Sequence, residues 1–113
     1  MSEQAVGSRR PVLAARPLIG AADAAELEGV FKVLANDTRL RLLHALVRDE
    51  ELSVSQLAEA VDLRAQAVSN QLQRLVDKGI LATRRDGNRI FYRIEDRCVV
   101  GLLDLAWCLS EST

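Results

Sequence analysis

Residues 63–81 read LRAQAVSNQLQRLVDKGIL. Val68, Leu72, Leu75 and Val76 recur there at helical spacing, and between them stand Arg64, Gln66, Ser69, Asn70, Gln71, Gln73 and Arg74, with no carboxylate before Asp77. An ordinary solvated helix face mixes Glu with Lys. Amides, hydroxyls and guanidinium groups without acids suit a different chemistry. Gln and Asn pair with adenine edges, Arg with guanine, and Ser reaches phosphates or bases, whereas a carboxylate would be repelled by phosphate. The second chemically able group is the pair of thiols, Cys98 and Cys108. Thiolates take up soft ions and react with oxidants or persulfides, but a reduced Cys is also among the most buried residue types, so packing is the other reading. The sole histidine, His44, stands among leucines, where a satisfied, partly buried side chain is expected rather than a ligand. One His, no Gly-rich phosphate loop and no clustered carboxylates argue against an enzyme.

These residues belong to a chain of 113, enough for one domain with a modest core. Apolar residues make up 49% and charged residues 27%, a globular composition. No run approaches a membrane span and the N-terminus has no apolar signal core, so a cytoplasmic protein with reduced cysteines is expected. The net charge of −1 hides a segregation: residues 64–93 hold seven bases and two acids (+5), and residues 21–63 nine acids and four bases (−5). A local basic segment on a near-neutral chain suggests an anionic partner met by one surface.

Five helices and a hairpin must position these groups. Residues 1–20 contain both prolines and two of the six glycines and have no clear period, which reads as a flexible N-terminal arm. Leu27, Val30, Phe31 and Leu34 fall at i, i+3, i+4, i+7 and mark a first helix. Asn36 or Asp37 caps a second, with Leu40, Leu43 and Leu46 inward, and Ser53 caps a short third with Leu57 and Val61 inward. The donor-rich stretch is the fourth, ending at Lys78 with Gly79 just beyond. ILATRRDGNRIFYRI then alternates on both sides of Asp86-Gly87, a hairpin of two strands. The last helix, about Asp96 to Glu111, is apolar around most of its circumference, so it is either buried in the domain or shared with a second chain. The fold class is therefore mainly α with a β-hairpin wing. Residues 21–113 form a winged helix-turn-helix DNA-binding domain, with Arg84, Arg85 and Arg89 of RRDGNR against the DNA backbone or minor groove.

FKVLANDTRLRLLHAL, ELSVSQLAEAVDLRAQAVSNQLQRLVDKGIL and RRDGNRIFYRI together resemble the ArsR/SmtB family of bacterial winged-helix repressors, over about residues 24–111. The resemblance implies a homodimer built on the first and last helices, a double-stranded operator with two-fold symmetry, and repression relieved by a small inducer. It puts recognition on Arg64, Gln66, Ala67, Ser69 and Asn70, and Gln73 shares their face. The family often has His where Asn70 and Gln71 stand, a change that bears on operator sequence.

Two inducer sites are implied by the family. The Cys-x-Cys motif of the third helix meets Ser53 and Ser55 here, and hydroxyls do not replace thiolates for soft metals. On the last helix, an Asp-x-His motif meets Asp96 and Cys98, with His exchanged for Cys. Cys108 lies about 15 Å further along that helix at roughly 1.5 Å per residue, too far for one chain's thiols to share an ion. An antiparallel partner helix would bring Cys108 of one chain near Cys98 of the other, and two thiolates favour a thiophilic ion such as arsenite, cadmium or lead. A thiol-redox or persulfide-responsive repressor is the alternative within the same fold. A winged-helix protein-interaction module without DNA binding is the alternative outside it; that reading expects an acidic or apolar recognition helix, which residues 63–75 are not.

Overall fold

The computed structural model describes residues 12–111; residues 1–11 of the expected arm, and residues 112–113, lie outside these. The described part of the arm, residues 12–20, has one 3-10 turn at Leu13–Ala15 and adds nothing to the core. The chain then runs through α1 (Ala21–Leu34), α2 (Asp37–Asp49), β1 (Leu52–Ser53), α3 (Val54–Val61), α4 (Ala65–Asp77), β2 (Leu81–Asp86), β3 (Arg89–Ile94) and α5 (Cys98–Glu111). This is the expected winged helix-turn-helix with one addition. The wing has three antiparallel strands in the order β1-β3-β2, because Leu52 and Ser53 pair with Tyr92 and Phe91.

Local chemistry sets the boundaries. The Asn36 side chain accepts from the Arg39 N–H at 2.9 Å and starts α2. Ser53 starts α3 through a reciprocal capping box with Gln56. α3 ends where Asp62 takes left-handed backbone (φ 57), which a short polar side chain tolerates, and α4 begins three residues later. At the far end of α4 the Gly79 N–H bonds to the Val76 carbonyl and the Ile80 N–H to the Leu75 carbonyl, with Gly79 at φ 84. That paired arrangement satisfies orphan carbonyls and turns the chain into β2. The hairpin loop is Gly87-Asn88, one residue later than the expected Asp86-Gly87, since Asp86 still pairs with Arg89; Gly87 supplies the positive φ (65).

The core joins Leu42, Leu43 and Leu46 of α2, Leu57 and Val61 of α3, Val68, Leu72 and Leu75 of α4, and Ile80, Leu81, Tyr92 and Ile94 around the wing. Two inward faces differ from expectation. α2 points Leu42 inward and leaves Leu40 exposed. In α1 only Leu34 is buried, while Leu27 and Phe31 are 47% and 51% exposed. α5 likewise buries only Val99, and its second half leaves Leu105, Trp107 and Leu109 exposed at 70%, 67% and 71%. So α5 is not buried in its own domain. α1 is held at Gly29, where a Cβ would stand 2.9 Å from Lys78 Nζ, the same ammonium that reaches Glu26 at 3.4 Å.

Leu72→Ala should lower the unfolding free energy by about 2–5 kcal/mol, since the side chain is fully enclosed, whereas Gln66→Ala should shift it by no more than about 0.5 kcal/mol. Urea unfolding of the two variants measures the contrast, and a large loss at Gln66 would mean that α4 is rotated from the orientation described.

Candidate nucleic-acid interface

The inward stripe of α4 decides what the helix shows to solvent. With Val68, Leu72 and Leu75 enclosed, Gln66, Ala67, Asn70, Gln73 and Arg74 are exposed, and Ser69 is half-buried. Gln66 Nε2 donates to Asn70 Oδ1 at 3.2 Å, and Gln73 Nε2 to Asp77 Oδ1 at 2.8 Å, so each amide has its i+4 neighbour as a stop. Arg64 is the N-cap residue and provides no side-chain cap for the first N–H groups of α4, and residues 64–67 are all exposed. Unsatisfied N–H groups at a helix N-terminus, with the positive end of the macrodipole, suit an anionic group.

Two arginines that sequence reasoning passed over hold this helix pair in place. Arg39 donates through Nη1 to Gln71 Oε1 of α4 at 2.6 Å and through Nε to the Val33 carbonyl of α1 at 2.6 Å. Arg41 donates to the Val61 carbonyl at the end of α3 at 3.1 Å. Gln71, one of the seven donor-face residues in the sequence, is therefore turned toward α2 and is not available on the exposed face. Only the alternation of charge in TRLRLL hinted at these roles.

The wing separates its arginines by register. Arg84 stands opposite Phe91 and Asp86 opposite Arg89, so Arg84, Phe91 and Arg89 share one face of the hairpin; Arg85, opposite Ile90, is on the other. Arg84 and Arg89 flank the Phe91 ring, with guanidinium carbons 4.8 Å and 5.0 Å from its centroid. Arg84 also makes a two-pronged contact to Glu51, at 3.1 Å and 2.7 Å. Those hydrogen bonds, aided by the Arg84 and Arg93 charges, outweigh desolvation and hold the Glu51 carboxyl below the usual carboxylate range. Arg85 is exposed and has no ion pair or hydrogen bond among the described residues.

The thiols are not brought together within one chain. Cys98 is half-buried in the first turn of α5, and its N–H donates to Asp96 Oδ1 at 3.0 Å, so one oxygen of that carboxylate is already engaged at the start of α5. Cys108 is exposed, ten residues on. No group of three or more His, Cys, Asp and Glu side chains gathers in one chain among the described residues. His44 is exposed, not partly buried, and lines an apolar cleft of about 570 Å³ between α2 and α5, with Leu40, Leu103 and Trp107. Ser53 and Ser55 face each other, Oγ to Oγ, at 3.2 Å. No helix among the described residues is long and apolar enough to cross a membrane.

Comparison with known proteins gives this geometry its class. Residues 34–84 match a helix-turn-helix domain family. The chain is 31% identical over 83 residues to the cadmium resistance transcriptional regulatory protein CadC of Listeria innocua, covering 74% of this chain and 70% of that one. It superposes on the crystal structure of AntR, an antimony-specific transcriptional repressor, with TM-score 0.81 and 57% identity, covering 91% of this chain and 93% of that one. It superposes on the homodimeric winged helix-turn-helix domain Mb0332 of Mycobacterium bovis with TM-score 0.74 and 31% identity, covering 88% and 91%. The chain belongs to the ArsR/SmtB family of winged helix-turn-helix transcriptional regulators. That family is one of transcriptional regulators, not of enzymes.

The Glu51–Arg84 pair should leave a mark on stability against pH. A carboxyl held below its ordinary value of 4.5 contributes stability that is complete above that value and is lost as pH falls through the lower folded value. The difference in urea midpoint between the wild type and Glu51→Gln should therefore be constant near neutrality and close on the acid side. It should also shrink with added salt, because the pair is exposed. A gap that persists unchanged to pH 3 would exclude the pair as its source.

Proposed function

We propose that this chain is a homodimeric repressor that grips double-stranded operator DNA with α4 and the wing and is released by a thiophilic metalloid or metal ion. The exposed, carboxylate-free face of α4 carries the reading: Arg64, Gln66, Ala67, Ser69, Asn70 and Gln73 offer donors and small contacts to base edges and phosphates. Arg84, Arg85 and Arg89 supply the basic wing. The apolar residues that α1 and α5 leave uncovered support a dimer formed on those helices, as does the homodimeric state of Mb0332. On a measured promoter fragment, affinity should fall steeply with salt, and Arg64→Ala or Gln66→Ala should cost about 1–3 kcal/mol at the matching base and relax sequence preference. Leu105→Asp should give monomers that no longer bind. A wild-type dimer that shifts no fragment of its own promoter at low salt would overturn the assignment.

The inducer is taken by Cys98 of one subunit and Cys108 of the other. An antiparallel α5 pair accounts for thiols that cannot meet within a chain, and it provides two equal sites per dimer. Thiolates favour soft ions, and the antimony and cadmium named for AntR and CadC are of that kind; antimonite, arsenite, cadmium and lead are the ions to try. Asp96 fits less well as a ligand, since one of its carboxylate oxygens accepts from the Cys98 N–H. Uptake at the α5 pair would shift the spacing of the two recognition helices, a coupling of a few kcal/mol sufficing to empty a promoter. Cys98→Ser and Cys108→Ser should each bind DNA normally and no longer release it. Mixing the two variants should regenerate one intact site per heterodimer and restore release; a mixture that stays on DNA would sink the cross-subunit site.

A further inference from the structure

The sheet that carries the wing is weakly tied to the helix-turn-helix by backbone alone. β1 is two residues long, and its register with β3 consists of Leu52 with Tyr92 and Ser53 with Phe91. Side chains add to this junction on the outward face of the hairpin. Arg84 runs across the Phe91 ring and ends on both carboxylate oxygens of Glu51. Arg89 runs across the same ring from the tip side and ends on Ser53 Oγ at 3.1 Å. Neither anchor is loose. Ser53 is buried, and its Oγ also accepts from the Gln56 N–H at 3.3 Å in the capping box that starts α3. Glu51 leaves a tight turn at Glu50, which has φ 66 and lets the Glu51 N–H reach the Asp49 carbonyl at 2.7 Å.

We propose that Arg84 and Arg89 are positioning residues that fix the angle of the wing to the helix-turn-helix, anchored on Glu51 and Ser53, and that the wing's phosphate contact is made by Arg85. The proposal rests on the DNA-binding reading. The Arg84 guanidinium, with its donor edge occupied by both oxygens of Glu51, adds little net charge at a phosphate, and that of Arg89 keeps its charge but is held over the Phe91 ring by Ser53 Oγ. Arg85 lies across the sheet from that pair, exposed and without an acidic partner among the described residues. Angle matters because the hairpin runs about three residues, about 10 Å, beyond the junction at Phe91, so a tilt of about 10° moves the tip by about 2 Å. That displacement takes a guanidinium out of hydrogen-bond reach of a phosphate oxygen.

The full chain, titrated onto its promoter fragment and onto an unrelated duplex over a series of potassium chloride concentrations, tests the division of labour. Arg85→Ala should reduce the slope of log affinity against log salt by about one. Glu51→Gln and Arg84→Ala should each lower affinity severalfold on both duplexes with the slope unchanged, and the double variant should be no weaker than either. Amide exchange in the DNA-free protein should accelerate in Glu51→Gln by a larger factor over residues 81–94 than over the core of α3 and α4. Exchange needs no DNA, so it separates failure of the strut from failure of the DNA-binding reading. Higher affinity and a steeper slope in Glu51→Gln would mean that Glu51 masks a phosphate ligand. That result overturns the proposal, as does a slope lowered by one in Arg84→Ala, or affinity and exchange that do not move.

Discussion

The enclosure of three side chains, Val68, Leu72 and Leu75, is the constraint on which the interface depends. An α-helix advances about 100° per residue, so fixing those three fixes the direction of every other residue on α4. Rotation by one position would put Gln71 and Arg74, or Ser69 and Gln73, into a core of leucines, where unpaired polar groups are costly, and would bring leucines to the surface. Hydrophobic burial thus aims the polar face, and Arg39 trims the aim by holding Gln71 to α2. The same arginine ties Val33 of α1 to this point through one guanidinium. A change at Arg39 would therefore be felt on α4 without touching any partner.

Core and periphery use apolar residues differently. The helices between the termini bury every leucine but Leu40, while α1 and α5 each bury one residue. α5 has apolar residues on nearly all sides, and a single domain of this size offers α2 as a wall on one side only. Large apolar side chains left together in water are the usual mark of a surface completed by another chain. A last helix half seated on the core and half uncovered couples events on its outer face to the winged domain through Val99, Val100, Leu102 and Leu103.

Elements with their own local chemistry were legible in the sequence. Asn36, Ser53 and Gly79 act at the helix boundaries where their types predicted, because caps are decided within a few residues. The polar face of α4 was legible for the same reason. β1 was not, since two residues carry no alternation and exist as a strand only through pairing with β3, some 40 residues away. The inward face of α2 was misjudged because RLRLLHALV offers two leucine faces of nearly equal quality, and only packing against α3 and α4 selects Leu42 over Leu40. The wing arginines looked alike in the sequence. Their partners lie 33 and 36 positions upstream, a separation that no local pattern encodes.

Charge segregation along the chain takes on another meaning in three dimensions. The basic stretch 64–93 and the acidic stretch before it partly neutralise each other, since Lys78 meets Glu26 and Arg84 meets Glu51. Arg93 is met by Glu95 just beyond the stretch. Arg64, Arg74 and Arg85 have no acidic partner among the described residues, and Arg89 ends on a neutral hydroxyl. Arg74 stands in the last turn of α4, where a cation complements the macrodipole. The positive charge left for a polyanion is thus concentrated at the N-terminus of α4 and on the wing, where Arg85 stands free of partners among the described residues and Arg89 is tethered to Ser53 on the other face. Paired charges still set the relative angles of helix and hairpin. The same residue type serves as contact or as strut according to whether an anchor from before α3 reaches it, the Glu51 carboxylate for Arg84 and the buried Ser53 hydroxyl for Arg89.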